Sequence, residues 1–153
     1  NSIKISCSTS IFVKVDVEQE ILMEFLFNLS KKTSKKIIIT TGTIDTKIIN
    51  KLKASSSKIN ESLYEINLNN TKGYLLINEN FFSISHLISK SSLFISCHGA
   101  FTHIASNYKI KILDIIERNK SIHYSRITKH MKNYKFLYRD KFLKLSEKII
   151  NYS

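Results

Sequence analysis

Ser92–Ser106 read SLFISCHGAFTHIAS, and the order of residue types in this stretch decides the fold. Leu93–Cys97 is the most apolar strand-like run of the chain, and it passes directly into His98, Gly99 and Ala100. A helix is predicted at once over Phe101–Asn107, followed by a strand over Ile110–Ile116. A buried strand, a bend of small residues and an immediate helix form the junction of a βα unit.

The same alternation of short and long apolar periods runs outward in both directions. Upstream, Ile3–Cys7 reads as a strand and Val17–Leu29 as an amphipathic helix, with Val17, Ile21, Leu22, Phe25, Leu26 and Leu29 at three- and four-residue spacing. Further units are a strand Ile37–Thr41, a helix Thr43–Ala54, strands Leu63–Leu68 and Tyr74–Ile77 after a turn at Lys72-Gly73, and a helix Ser83–Ser89. Ser55–Asn60 reads as a polar loop. Downstream, Asn119–Tyr134 is basic and aromatic with weak periodicity, and Asp140–Ile150 reads as a closing helix. Strands separated by helices predict an α/β fold over 1–153: a doubly wound, Rossmann-like parallel sheet with helices on both faces. Such sheets bind ligands at the carboxyl ends of their strands, so the loops after Cys7, Thr41, Ile77, Cys97 and Ile116 should share one rim.

Composition narrows the functional classes. Of 153 residues, 42% are hydrophobic, which suits a packed core and argues against disorder. No apolar run approaches the roughly 20 residues of a membrane span, so the chain reads as soluble and cytoplasmic. Cys7 and Cys97 both end apolar runs and read as buried thiols in a reducing compartment, not as a disulfide framework. The net charge is +12, but the cations are mostly Lys, with only Arg118, Arg126 and Arg139 to make bidentate contacts. Nucleic acid is therefore not the expected partner. The charge favours an anionic ligand, and a peripheral contact with an acidic inner-membrane face is compatible with it.

The bend itself is where chemistry is expected. Gly99 and Ala100 let a ligand approach the main chain, and the amides of Gly99–Thr102 would lie at a helix start that favours anions. Thr102 can donate its hydroxyl to phosphate or satisfy a free amide. His103 faces either a ligand or the sheet. The pattern suits a diphosphate, although the Walker spacing is absent.

In its order of elements and in this motif the chain resembles the heptosyltransferase-like GT-B glycosyltransferases that use ADP-heptose to build lipopolysaccharide. That family has a helix, a short apolar strand and then Asp-Ser/Thr-Gly-x-x-His-x-Ala. Here Ser83–Ser91 and Leu93–Cys97 match the helix and strand, and His103 and Ala105 match the final His and Ala. His98 stands in place of the acid, Gly99 in place of Ser/Thr, and Ala100 in place of the second small residue. The resemblance implies that residues 1–153 are one GT-B half, the C-terminal donor-binding domain of a longer protein; the sequence starts at Asn1, and Met23 is its first methionine. It implies a nucleotide-diphosphate sugar as donor substrate, no separate cofactor, and a glycan or lipid-linked acceptor of surface-polysaccharide or lipopolysaccharide synthesis.

Donor contacts would come from His98, Gly99, Ala100, Phe101, Thr102 and His103, with Lys14 on the diphosphate and Asp45 on the sugar. The general base would belong to the chain's own N-terminal domain, so this piece alone would bind nucleotide without turnover. No Asp-x-Asp occurs to hold a metal, and a metal-independent transfer is expected. Two other readings stay open. One is a polysaccharide pyruvyltransferase-like enzyme, which shares the architecture. The other is a basic module for RNA or acidic lipid, using Lys120, Arg126, Lys129, Lys132 and Lys135 with Tyr124, Tyr134 and Tyr138. Its plain counterpart is a tail that packs its aromatics over the sheet edge and leaves its lysines in water.

Overall fold

The computed structural model describes residues 4–8 by their backbone, and residues 18–41 and 46–153 in full. Among the described residues, eight strands form one sheet: β1 (Lys4–Ser8), β2 (Lys36–Thr40), β3 (Ser57–Lys58), β4 (Leu63–Asn67), β5 (Lys72–Leu76), β6 (Ser91–Cys97), β7 (Lys111–Ile116) and β8 (Tyr134–Tyr138). Their order across the sheet is β3-β4-β5-β2-β1-β6-β7-β8. The run from β5 to β8 is parallel, and β4 and β3 extend it antiparallel beyond β5. From β1 the chain steps to β2 and β5 on one side, then returns to β6 on the other and continues to β7 and β8. The strand order therefore reverses between β1 and β6.

The helices are α1 (Gln19–Lys32), α2 (Lys47–Ala54), α3 (Phe81–Ser89), α4 (Ala100–Ser106), α5 (Ser121–Ile127) and α6 (Phe142–Tyr152). Successive side chains of a strand point to opposite faces, and β6 sorts its residues accordingly. Leu93, Ile95 and Cys97 join a core with Leu22, Leu26 and Leu29 of α1, Ile49 and Leu52 of α2, and Leu145 and Ile149 of α6. Phe94, between them, joins a second core with Ile84 and Ile88 of α3, Ala105 of α4 and Ile112 of β7. Phe25 meets Phe142 edge-on at 5.4 Å, which ties α1 to α6. Burying a side chain the size of Phe94, which is 1% exposed, contributes about 1.5–3 kcal/mol.

Local chemistry sets several boundaries. Thr46 accepts a hydrogen bond from the Ile49 amide at 3.4 Å and starts α2; Asn80 accepts from the Ser83 amide at 2.9 Å and starts α3 two residues before the expected Ser83. The expected turn at Lys72-Gly73 lies instead at Asn69, whose φ is 61° and whose amide donates to Asn67 Oδ1 at 3.1 Å. Lys72 and Gly73 belong to β5. Gly73 is required by packing, since a Cβ there would stand 2.9 Å from Leu68 Cδ1 and 3.2 Å from Ile66 Cβ. The polar stretch 55–60 holds the short edge strand β3 where a loop was expected. The basic tail holds α5 and β8, neither of which its weak periodicity announces. Among the described residues, no helix is long and apolar enough to cross a membrane.

Candidate functional site

The bend after β6 begins at Cys97, a buried residue, and Gly99 is the N-cap of α4 with an extended φ of −179°. Gly99 and Ala100 are exposed. A Cβ on Gly99 would meet only the Cys97 carbonyl, at 3.8 Å, so the space above this main chain is open. Thr102 has no exposed surface and is turned inward. Its hydroxyl accepts from the Gly99 amide at 3.3 Å and lies 3.2 Å from the Ser96 hydroxyl. The Thr102 amide in turn donates to the Gly99 carbonyl at 3.0 Å. Of the two roles open to Thr102, the structure therefore places it in closing the turn. Two of the four amides read as anion donors are spent on that turn, which leaves those of Ala100 and Phe101.

Phe101 projects toward α3 and stacks on Phe81 at 5.5 Å. His98 and His103 turn the other way, toward β7 and α5. Nδ1 of His98 lies 2.5 Å from Oδ2 of Asp114, and the Tyr134 hydroxyl donates to the same oxygen at 2.8 Å. The Asp114 side chain has no exposed surface and that of His98 only 9%. His103 meets the His98 ring edge-on at 5.1 Å, Tyr124 of α5 covers it at 4.6 Å, and His130 stacks behind His103 at 6.3 Å. Among the described residues, His98 Nε2 and Asp114 Oδ1 have no hydrogen-bond partner.

Burial pushes the Asp114 carboxyl upward, opposed by its bond to His98, by the charge on that ring, by the Tyr134 hydroxyl and by the Ile115 amide. Burial and the Asp114 charge together push the Tyr134 phenol upward, so it remains a donor at any ordinary pH. Burial also holds His103 below the usual imidazole value, and repulsion from His98 and His130 adds to this against the pull of Asp114. His103 is thus neutral at pH 7. His98 has one nitrogen held by a carboxylate, an arrangement that fixes an imidazole tautomer, and its second nitrogen is buried between its neighbours.

The structure brings His98, Gly99, Ala100, Phe101, Thr102 and His103 together, while Lys14 and Asp45 lie outside the described residues. Asp114 and His130 were not anticipated, and Tyr124 and Tyr134 were read only as aromatics of the basic tail. The one available signal was Asp114, a lone acid in the apolar strand KILDII. No group of three His, Cys, Asp or Glu side chains among the described residues is placed to hold a metal ion.

The aromatics of the basic tail are largely engaged. Tyr124 covers His98 and Tyr134 binds Asp114, while Tyr138 lies beneath the Arg118 guanidinium at 4.2 Å. Glu117 pairs with Lys120 at 2.6 Å and with Arg139 at 3.1 Å. An open groove of about 550 Å³ along Lys111, Lys132 and Lys135 lies at the opposite, amino-terminal end of β7 and β8. No protein-family model, curated protein or solved structure matches the chain.

Proposed function

We propose that this chain is the nucleotide-sugar-binding half of a GT-B-type glycosyltransferase, serving transfer to a surface-polysaccharide or lipopolysaccharide acceptor. In this reading the sheet is a Rossmann-like, doubly wound one. The observation that supports it best is where the His98–Ala100 bend leaves the sheet. It follows β6 beside β1, where the strand order reverses, and its main chain is open to solvent at Gly99 and Ala100. Open α/β sheets bind nucleotides at such a reversal, outside the carboxyl ends of the strands.

The donor's diphosphate lies over Gly99 and Ala100 and takes hydrogen bonds from the Ala100 and Phe101 amides. Thr102 holds the turn in shape from beneath. His98 and His103 stand at its side. As the bond from the sugar's anomeric carbon to the diphosphate oxygen breaks, negative charge grows on the leaving nucleotide. The Ala100 and Phe101 amides, fixed at the start of the helix, stabilise that charge without reorganising. The base that takes the acceptor's proton belongs to another domain, and this chain alone binds donor nucleotide without turnover.

Calorimetric titration of the chain with ADP, UDP and GDP tests the reading. Saturable binding of at least one is expected. Failure of all three to bind at millimolar concentration would overturn it.

A further inference from the structure

In the parallel run from β5 to β8, the amino ends of the strands share one end of the sheet, opposite the His98–Ala100 bend. The segments 31–36, 68–72, 90–91, 107–111 and 128–135 lead into β2, β5, β6, β7 and β8, so they gather at that end. Together they hold eleven lysines and none of the chain's twelve acidic residues. The carboxyl end is mixed: Glu79, Glu117 and Asp140 stand there with Arg118, Lys120 and Arg139.

Nine of the eleven lysines are exposed. Among the described residues only one of the eleven has an ion pair, Lys72 with Glu65 at 3.0 Å. Lys111, Lys132 and Lys135 line the open groove of about 550 Å³ with Asn133 and Asn151. Cations at a helix C-terminus offset its partial negative charge, and Lys31, Lys32 and Lys90 can do so for α1 and α3. The remaining lysines exceed that need. Like charges gathered on one face repel one another, and an anionic partner relieves the repulsion.

The shape and chemistry of the face select among such partners. Six parallel strands at roughly 4.8 Å spacing make it about 24 Å wide. None of the three arginines lies in these segments, so bidentate contacts to phosphate or guanine are lacking. Tyr74 and Tyr152 lie beneath Lys36 and Lys135, and Tyr134 is held by Asp114. Of the tyrosines in or beside these segments, Tyr108 alone is exposed, which offers little for stacking bases. A broad field of single lysine charges fits anionic headgroups spread over a plane.

We propose that this lysine-rich end is a docking surface for a bilayer rich in anionic phospholipid. Docking by it turns the carboxyl ends of the strands away from the lipid and leaves the Gly99–Ala100 main chain open to water. The proposal does not depend on what binds at that bend.

Sedimentation of the chain with vesicles of phosphatidylcholine, alone or mixed with phosphatidylglycerol, tests the proposal. Binding is expected only to the mixed vesicles at about 0.1 M salt, with release at about 1 M. Each lysine near an anionic surface strengthens binding about fivefold. Lys109→Gln, Lys111→Gln and Lys132→Gln together should therefore weaken it at least tenfold. Should that variant fail to fold, Lys32→Gln, Lys90→Gln and Lys129→Gln together should weaken it as much. Lys120→Gln, Lys141→Gln and Lys144→Gln remove the same charge elsewhere and should weaken it less than about threefold. Absence of binding to the mixed vesicles, equal binding to phosphatidylcholine alone, or equal loss in the amino-end and control triples overturns the proposal. Displacement from the vesicles by a single-stranded oligonucleotide that binds more tightly also overturns it, in favour of nucleic acid.

Discussion

Oδ2 of Asp114 is the common acceptor of two hydrogen bonds, from His98 Nδ1 at 2.5 Å and from the Tyr134 hydroxyl at 2.8 Å. The bend after β6, the middle of β7 and the start of β8 are thereby joined at a single buried atom. Asp114→Ala leaves both donors without an acceptor, and should cost about 2–4 kcal/mol of stability in denaturant unfolding. Asp114→Asn preserves the volume and one acceptor oxygen and should cost less. A cost for Asp114→Ala within about 0.5 kcal/mol would mean that the pair contributes nothing net to the fold.

Gly99 separates binding from folding. Its backbone is extended, a conformation open to any residue, and a Cβ would meet nothing closer than 3.8 Å. Gly99→Ala should change stability by less than about 1 kcal/mol by thermal unfolding. The new methyl group would nevertheless stand over the main chain that the diphosphate approaches, so nucleotide affinity should fall at least severalfold by calorimetry. Equal affinity would move the ligand away from Gly99.

Thr102 should behave in the opposite way. Its hydroxyl is fully buried between Ser96 and the Gly99 amide. Thr102→Val removes that acceptor at nearly constant volume and should cost about 1–2 kcal/mol of stability. Thr102→Ser restores the oxygen and should recover most of it, with nucleotide affinity close to that of the parent chain.

His103 sets an acid limit on stability. Its folded pKa is lowered from the ordinary value of 6.5, so the unfolded chain takes up the proton first as pH falls. Its contribution is full above that ordinary value and is lost as pH falls through the folded one. Unfolding measured between about pH 7 and pH 5 should show a shallower acid loss in His103→Gln than in the parent. The raised Asp114 carboxyl acts in the opposite sense and is unchanged in this comparison. Parallel pH curves for the two chains would contradict the assignment.

The sheet was legible where burial is two-sided. Ile37–Ile39 and Leu93–Cys97 are nearly continuous apolar runs because their residues are buried on both faces, with Leu93, Ile95 and Cys97 in one core and Phe94 in the other, and the helices beside them carry clean three- and four-residue spacing. β8 was not legible, because YKFLY is an edge strand with Phe136 44% exposed and Lys135 reaching over Tyr152. The site was half legible for the same reason. The His98–His103 bend is contiguous in the chain and could be read from residue types. Asp114 and Tyr134 join it only through the β6–β7–β8 register, which places Ser96 beside Asp114 and Ile112 beside Tyr134. Thr102 had two roles open to it in the sequence, and burial decides between them.

Whether a nucleotide diphosphate sits on the main chain between Cys97 and His103 is read most directly from amide chemical shifts during titration with ADP, UDP and GDP. The largest changes are predicted at Gly99, Ala100 and Phe101, and they should be diminished in Gly99→Ala. Unmoved amides at this bend, with the ligand perturbing the groove of Lys111, Lys132 and Lys135 in their place, would contradict the nucleotide-sugar reading.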